Sequence, residues 1–324
     1  MKNIKFIKVV VLAIIFLFVG AGILPTLGGT VIEKTSSTAI GSNGYIQDLI
    51  DNASAGETIY IPGGIYYENI VINKSISLIG EDKDNTIIDG NGNGYVVYII
   101  ADWVNISRFT IRNGRFAGIK ILNTDYNTIT ENIISDNNNG IILEVGNFYN
   151  KIIDNTITSN NGTDLSLGSS HHNIIKNNTM SSNNGCGISL HLSKSNTIIG
   201  NTISNKKYGI YLGGSSNNNI SGNTLSKNTY GIYLRFYRIF GGFQPSQKNN
   251  ILRNNFLGYR QHMFCGGDCS NKWNENYWNR PRSLPKIIIG LFFIDFFGIL
   301  HRPIVIPGFN IDRHPAEELY DIGG

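Results

Sequence analysis

Between Asn127 and Phe256 the chain repeats one short pattern, and this repeat limits the fold more than any other feature. Its starts are 23, 23, 23, 22 and 31 residues apart, at Asn127, Asn150, Asn173, Asn196, Asn218 and Asn249. A fixed period of roughly 20 to 50 residues is typical of solenoids and other stacked arrays. The chain is therefore predicted to build its core by stacking similar units.

Within each unit, Asn is followed five residues later by a second Asn and seven residues later by an apolar residue. A short alternating strand such as Gly140–Leu143 comes next. Strands this short bury a face only when they stack coil on coil. An all-β, single-stranded parallel β-helix of about eight to ten coils is predicted, at ~4.8 Å per coil. Asn tolerates left-handed corners and can bond to Asn on the next coil, so the Asn columns are interpreted as structural.

The composition agrees with this fold class and excludes one class of partner. Only 15% of residues are charged and 37 are Gly, which is typical of a turn-rich β protein. The net charge of +4 is small, and no nucleic-acid-binding motif is present, so no nucleic-acid partner is expected.

The chain is predicted to have four regions. Residues 1–29 carry Lys residues before the apolar run at 9–24, which indicates a secretion signal, or an uncleaved membrane anchor as the alternative. Residues 30–44 form a linker, and residues 45–260 form the β-helix, with an N-terminal helical cap at Tyr45–Ala53. Residues 261–324 are expected to form an irregular C-terminal cap over the last coil.

From Tyr45 to Phe256 the sequence resembles a known group. The helix, the segment GETIYIPGGIYYENIVINKSISLIGED, TIIDGNG at Thr86–Gly92 and the Asn repeats are similar to secreted right-handed β-helix proteins of the pectin-lyase-like superfamily. The resemblance is strongest to the NosD-like group, with its carbohydrate-binding and sugar-hydrolysis repeats, and the tail NKWNENYWNRP resembles archaeal secreted members. It implies a right-handed helix and an extracytoplasmic location. NosD proteins are implicated in copper supply to a periplasmic reductase.

Two adjacent columns precede the leading Asn residues. One column contains Trp103, Tyr126, Tyr149 and His172, and the other, one residue earlier, contains Asp102, Asp125, Phe148 and His171. Flat aromatic rings beside carboxylates, one coil apart, suit a sugar chain with apolar ring faces and hydroxyl edges. The alternative is that these side chains fill the interior, because only one of two adjacent columns in a strand faces outward.

The insertion at Arg235–Lys248 supplies a second candidate surface. Its residues Arg235, Tyr237 and Arg238 follow Tyr233, which is expected to stack on Tyr211 of the adjacent coil. Such a loop is predicted either to bind an anionic glycan or to pack on the C-terminal segment.

Candidates for chemistry are few. Asp102 and Asp125 are the candidate catalytic pair, since paired carboxylates serve glycosidases, but the calcium-binding acid cluster expected of a lyase is missing. The residues His171, His172 and His262 are candidates for copper. A disulfide between Cys265 and Cys269 is expected in an oxidising compartment, with free thiols or metal ligation as alternatives.

The sequence favours a secreted or cell-surface protein that binds a polysaccharide or surface glycan without catalysis and without a cofactor. The alternatives are a polysaccharide lyase or glycoside hydrolase, and a NosD-like periplasmic copper-binding accessory protein. Copper and calcium are the cofactors that these alternatives would need.

Overall fold

The computed structural model describes residues 44–181, 185–239, 242–258, 261–266, 270–278, 286–294, 304–312 and 314–321. The predicted signal or anchor and most of the predicted linker lie outside these residues. Within the described part of the chain, no helix has the length and apolar character needed to span a membrane.

Helix α1 (Tyr45–Asn52) precedes the first strand and packs on the first coil. Ile46 and Ile50 on its inner face are fully buried. The carboxylate of Glu68 accepts hydrogen bonds from the backbone N–H groups of Ile46 and Gln47, which the first helical turn leaves without internal partners. The predicted helical cap is therefore present.

The strands form three parallel ladders, and each turn of the chain visits ladder 1, ladder 2 and ladder 3 in that order. Ladder 1 contains β1 (Thr58–Ile61), β4 (Ser77–Gly80), β7 (Asn105–Ser107), β10 (Thr128–Thr130), β13 (Lys151–Ile153), β16 (Ile174–Lys176), β19 (Thr197–Ile199), β22 (Asn219–Ser221), β27 (Asn250–Leu252) and β30 (Lys272–Asn274). Ladder 2 contains β2 (Gly64–Tyr67), β5 (Thr86–Asp89), β8 (Thr110–Arg112), β11 (Ile133–Ser135), β14 (Thr156–Thr158), β17 (Thr179–Ser181), β20 (Thr202–Ser204), β23 (Thr224–Ser226), β28 (Asn255–Leu257) and β31 (Tyr277–Trp278).

Ladder 3 contains β3 (Ile70–Ile72), β6 (Tyr95–Ile99), β9 (Ala117–Leu122), β12 (Ile141–Glu144), β15 (Leu165–Gly168), β18 (Cys186–His191), β21 (Tyr208–Gly213), β24 (Tyr230–Arg235) and β29 (Gln261–Gly266). Inward side chains of all three ladders, such as Ile129, Ile134 and Ile141, are fully buried and form one continuous core. The protein is thus a parallel β-helix of about nine turns, as predicted.

The C-terminal segment closes the last coil. Strands β32 (Lys286–Ile294) and β33 (Ile304–Asp312) form an antiparallel pair that the sequence interpretation, an irregular cap, did not anticipate. Buried Asp312 accepts hydrogen bonds from Asn276 Nδ2 and from Trp278 Nε1, both at 3.0 Å. Trp278 is itself buried and stacks on Phe256 with ring centroids 4.5 Å apart.

The Asn columns form hydrogen-bonded ladders inside the corners. Asn155 shows the pattern, because its Nδ2 donates to Ile129 O, Ile153 O and Asn178 Oδ1 at 2.9–3.0 Å. Its Oδ1 accepts from the backbone N and from Nδ2 of Asn132. The structural interpretation of these residues is confirmed.

The left-handed backbone belongs to a different residue from the one expected. Glu131 and Asp154, with φ of 57° and 56°, precede Asn132 and Asn155. The Asn side chain therefore turns inward to bond to neighbouring coils, while the residue before it makes the corner and faces outward.

Asn155→Ala tests the ladder. The substitution leaves several buried backbone and amide groups without partners, each costing about 1–3 kcal/mol, so the free energy of unfolding is expected to fall by about 3 kcal/mol or more. Chemical denaturation followed by circular dichroism measures this change. Asn161→Ala, at an exposed position, is the matched control and should cost little; equal losses in the two variants would contradict the ladder's role.

Candidate functional site

The predicted aromatic column exists as a stack on the turn between ladder 3 and ladder 1. Its members Trp103, Tyr126, Tyr149 and His172, called here the aromatic stack, have successive ring centroids 4.4, 5.2 and 5.3 Å apart. The interplanar angles are 6°, 10° and 22°. Trp103 is 64% exposed, Tyr126 42% and Tyr149 46%.

Corner geometry explains why this column faces outward. All four stack residues have φ between 57° and 59°, the left-handed conformation of the corner. The two adjacent columns therefore lie in a turn rather than in a strand, and strand alternation does not apply. Asp102 is also exposed, and Asp125 and His171 are half-buried, so the interior alternative is wrong for both columns.

Stacking limits what this column can bind. Each ring within the stack has its faces covered by its neighbours, so solvent meets ring edges and hydroxyl groups. A sugar ring packs against an open aromatic face, and the stack leaves two terminal faces uncovered, that of Trp103 away from Tyr126 and that of His172 away from Tyr149. The column is thus a weaker platform for a sugar chain than its spacing suggested.

Tyr126→Ala measures the contribution of the stack to stability. The variant loses two ring contacts of about 0.5–1.5 kcal/mol each, so the free energy of unfolding should fall by about 1–3 kcal/mol. Tyr60→Ala, at a 57%-exposed tyrosine on ladder 1, is the control. Denaturant titration of both variants gives the comparison, and an unchanged stability in Tyr126→Ala would show that the stacking does not stabilise the fold.

The neighbouring column of Asp102, Asp125 and His171 links coils. Asp102 Oδ1 accepts a hydrogen bond from the backbone N of Asp125 at 2.7 Å, and Asp125 Oδ1 accepts one from Phe148 N at 2.8 Å. His171 Nδ1 accepts one from Lys194 N at 2.9 Å. These side chains therefore have a structural role at the corner, whereas a catalytic pair needs carboxylates directed at a substrate.

Acid should weaken the link made by His171. Burial, together with Lys194 and His172, lowers the pKa of His171 in the folded protein. Folding then favours the neutral ring, so stability is complete above the unfolded pKa of about 6.5 and declines as the pH falls towards the folded pKa. His171→Asn keeps an acceptor and removes the titration, so its melting temperature should fall less between pH 7 and pH 5 than that of the wild type. Parallel pH dependence would contradict this role.

Tyrosines form a second aromatic surface on the outer face of ladder 3. The tyrosine cluster, defined as Tyr208, Tyr211, Tyr230 and Tyr233, lies on the paired strands β21 and β24. Tyr211 and Tyr233 stack at 5.7 Å, and Tyr208 and Tyr230 stack at 5.4 Å. Burial raises the pKa of Tyr211 and Tyr233, so both keep their hydroxyl protons.

The predicted insertion is a hairpin that folds over this end of the face. Strands β25 (Tyr237–Ile239) and β26 (Gly242–Gln244) pair, and the Tyr237 ring lies edge-on 5.7 Å from His191. His191 is also 5.2 Å from Tyr211. The structure thus brings Tyr211, Tyr233 and Tyr237 to one surface, with Arg235 exposed at its edge. The side chain of Arg238 lies outside the described residues.

Small residues interrupt the outward column of ladder 3. The order is Tyr98, Lys120, Ile142, Ser166, Ser189, Tyr211 and Tyr233. Ile142 borders the small residues at one side, next to the Lys120–Glu144 pair, and the tyrosine cluster lies at the other side. The span from Ile142 to Tyr211 is three strand spacings, or roughly 14 Å. Aligning the strands could have found this interruption from the sequence.

A polar cleft on the turn between ladder 2 and ladder 3 was missed by the sequence interpretation. It has a volume of about 440 Å³ and is lined by Asn91, Gly92, Asn113, Gly114, Arg115, Asp136, Asn137, Asn138 and Asn161. Exposed Phe116 follows Arg115 in sequence, and the Arg115 guanidinium lies 5.8 Å from its ring centroid. The sequence could have indicated this cleft, because polar residues recur once per coil directly after the ladder 2 strands.

The structure describes the side chains of two of the three metal candidates, His171 and His172, and the disulfide stays a prediction. No group of three or more His, Cys, Asp or Glu side chains with metal-site geometry occurs among the residues that the structure describes. The His171 Nδ1 lone pair is occupied by a hydrogen bond, and the His172 ring is stacked on Tyr149. The side chains of His262 and Cys265, and all of Cys269, lie outside the described residues. Buried Cys186 is a free thiol.

Comparison with known families confirms the resemblance seen in the sequence. Residues 149–294 match the family model described as "Periplasmic copper-binding protein (NosD)". None of the curated proteins compared with the chain matches it.

Solved structures share the fold at low sequence identity. An alginate lyase from Paenibacillus sp. str. FPU-7 has a TM-score of 0.57 and 14% identity, over 70% of this chain and 91% of the lyase. ORF18 of Geobacillus virus E2 has a TM-score of 0.56 and 17% identity, over 82% and 59% of the two chains. The catalytic unit of a GH87 α-1,3-glucanase from Streptomyces thermodiastaticus strain HF3-3 has a TM-score of 0.55 and 14% identity, over 80% and 56%. At such identities the likeness shows a common fold, which hosts many activities.

Proposed function

We propose that this chain, a NosD-like parallel β-helix, is an extracytoplasmic protein that binds a polysaccharide along the outer face of ladder 3 without cleaving it. The observation that carries the proposal is the change from large to small and back to large side chains in the outward column of this face. Ser166 and Ser189 form a low floor between Ile142 and Tyr211. A short run of sugar rings fits this floor lengthwise.

The chemistry of the two ends suits a glycan. Tyrosine offers a ring edge beside a hydroxyl donor, and these groups can contact a sugar's C–H groups and hydroxyl groups. Tyr211 is the first ring of the tyrosine cluster beside the floor, and Arg235 at the edge adds positive charge. At the other end, the exposed carboxylate of Glu144 provides acceptors and is held by the buried Lys120.

The positions of the carboxylates support binding without hydrolysis. Glycoside hydrolysis uses two carboxyl groups that flank the scissile bond. Among the described outward residues of ladder 3, Glu144 is the carboxylate, and it is paired with Lys120. Asp102 and Asp125 lie on a different edge and bond to the backbone of the next coil.

The alginate lyase and the α-1,3-glucanase that share this fold act on polysaccharides according to their names. This supports a glycan ligand. The match to a periplasmic family supports a location outside the cytoplasm.

Binding to a panel of soluble polysaccharides by affinity gel electrophoresis tests the proposal. The wild-type protein should be retarded by at least one polysaccharide, and Tyr211→Ala should bind about tenfold more weakly, the equivalent of about 1.4 kcal/mol. Ser166→Trp should abolish binding by filling the floor. Tyr60→Ala and Thr156→Trp, on ladders 1 and 2, are the matched controls and should bind normally.

Two results would overturn this function. If no polysaccharide retards the protein, the proposed binding is wrong. If Tyr211→Ala and Ser166→Trp both bind normally, the proposed location of the site is wrong. Release of new reducing or unsaturated sugar ends on incubation would show that the protein is an enzyme.

A further inference from the structure

A lysine and an aspartate that break the repeat meet inside the β-helix. Lys206 occupies the corner position held by Asn137, Asn160 and Asn228 on other coils. Asp164 occupies the position held by glycines such as Gly140, Gly187 and Gly209. The two side chains pair through Nζ and Oδ2, and neither has any exposed surface.

The backbone positions of Asp164 and Lys206 explain why their side chains meet. A Cβ added at Gly209 would point inward, 2.9 Å from Leu225 and 3.1 Å from Asn228 of the corner column. The side chain of Asp164 therefore enters the core towards that column. The longer side chain of Lys206 reaches back across one coil, and its Nζ donates to Ser181 O at 3.0 Å.

A fully buried ion pair is a costly occupant of this site. Each ion loses its hydration, and attraction between the two does not always offset that loss. Gly and Asn satisfy the same two positions on neighbouring coils without any charge. Burial lowers the pKa of Lys206, which favours the neutral amine, although the charge of Asp164 acts in the opposite direction.

We propose that Lys206 and Asp164 form an intramolecular amide bond that joins two coils covalently. The neutral Nζ attacks Cγ of the protonated carboxyl group, and the Cγ–Oδ2 bond breaks. One amine proton passes to the departing hydroxyl, which leaves as water, and Nζ keeps one proton. The folded chain holds the two groups in contact, and such fixed proximity is worth effective concentrations of about 10⁵–10⁸ M.

The surroundings match the hydrogen-bonding needs of the product. An amide has one N–H donor and one carbonyl acceptor. Ser181 O, already 3.0 Å from Nζ, would accept from the amide N–H. Asn160 Nδ2, 3.4 Å from Asp164 Oδ1, would donate to the amide carbonyl and polarises it for attack. The bond removes both buried charges and leaves each remaining polar atom with a partner.

Mass spectrometry of the purified full chain after denaturation tests the cross-link. The Lys206→Met variant cannot form the bond, so its mass, corrected for the Lys-to-Met difference, gives the mass of an uncross-linked chain. The measured mass of the wild type should be lower than this value by one water, about 18 Da. Lys120→Met, which removes another lysine paired with a carboxylate, is the control and should retain the loss. Trypsin should not cleave after Lys206, and the digest should contain a branched peptide joining the segments of Asp164 and Lys206.

The result that would overturn the proposal is equally direct. Recovery of the two segments as separate linear peptides from the wild type shows an ordinary ion pair. A loss of water that persists in Lys206→Met indicates a cyclised aspartate elsewhere and also rejects the bond. Because the wild-type peptide map is read after denaturation, it decides the question even if Lys206→Met does not fold.

Discussion

The structure depends on the mutual satisfaction of amide groups buried at the corners. The repeated corners direct Asn side chains into the interior, where an unpaired polar group would cost about 1–3 kcal/mol. The amide of the next coil is the partner that matches it, so each coil fixes the position of its neighbour. The last Asn amide of the ladder also needs a hydrogen-bond partner. Asp312 supplies the final acceptor for Asn276, which explains why the C-terminal segment folds back over the last coil.

The corners that hold the ladder also determine what the surface displays. The residue before each inward Asn takes the left-handed conformation, which is uncommon for bulky side chains. Trp103, Tyr126 and Tyr149 occupy this position on successive coils, and their stacking stabilises an otherwise unfavourable set of residues. The corner geometry thus places the rings of the aromatic stack, and their stacking stabilises neighbouring coils without any ligand.

The faces of the ladders offer more freedom for function than the corners do. An outward strand residue makes no essential contact within the scaffold, so it can change between coils without breaking the ladder. Ladder 3 uses this freedom, with two serines between Ile142 and the tyrosine cluster. The same fold in a lyase and a glucanase shows that the scaffold is compatible with polysaccharide chemistry, while the outward residues decide what each protein does.

Much of the fold was accessible from the sequence because the period is itself structural information. The repeat predicted the parallel β-helix and the ladder residues such as Asn155, and the helical apolar spacing of Tyr45–Ala53 predicted the cap before the first strand. It also placed Trp103, Tyr126, Tyr149 and His172 in one line. It did not predict that the ring faces would be covered, that Asp102 and Asp125 would bond to the backbone, or that β32 and β33 would pair. Those outcomes depend on side-chain direction and on a segment without the repeat.

The sequence by itself determined the period, and the period determined which residues share a column, because stacked coils of equal length keep their register. Only the tertiary structure decided which way each column points and which columns meet across the interior. The polar cleft assembles residues from successive coils, and Lys206 meets Asp164 from 42 positions away in the chain. Such contacts depend on the direction of the Cα–Cβ bond at each corner, and the sequence repeat does not specify that direction.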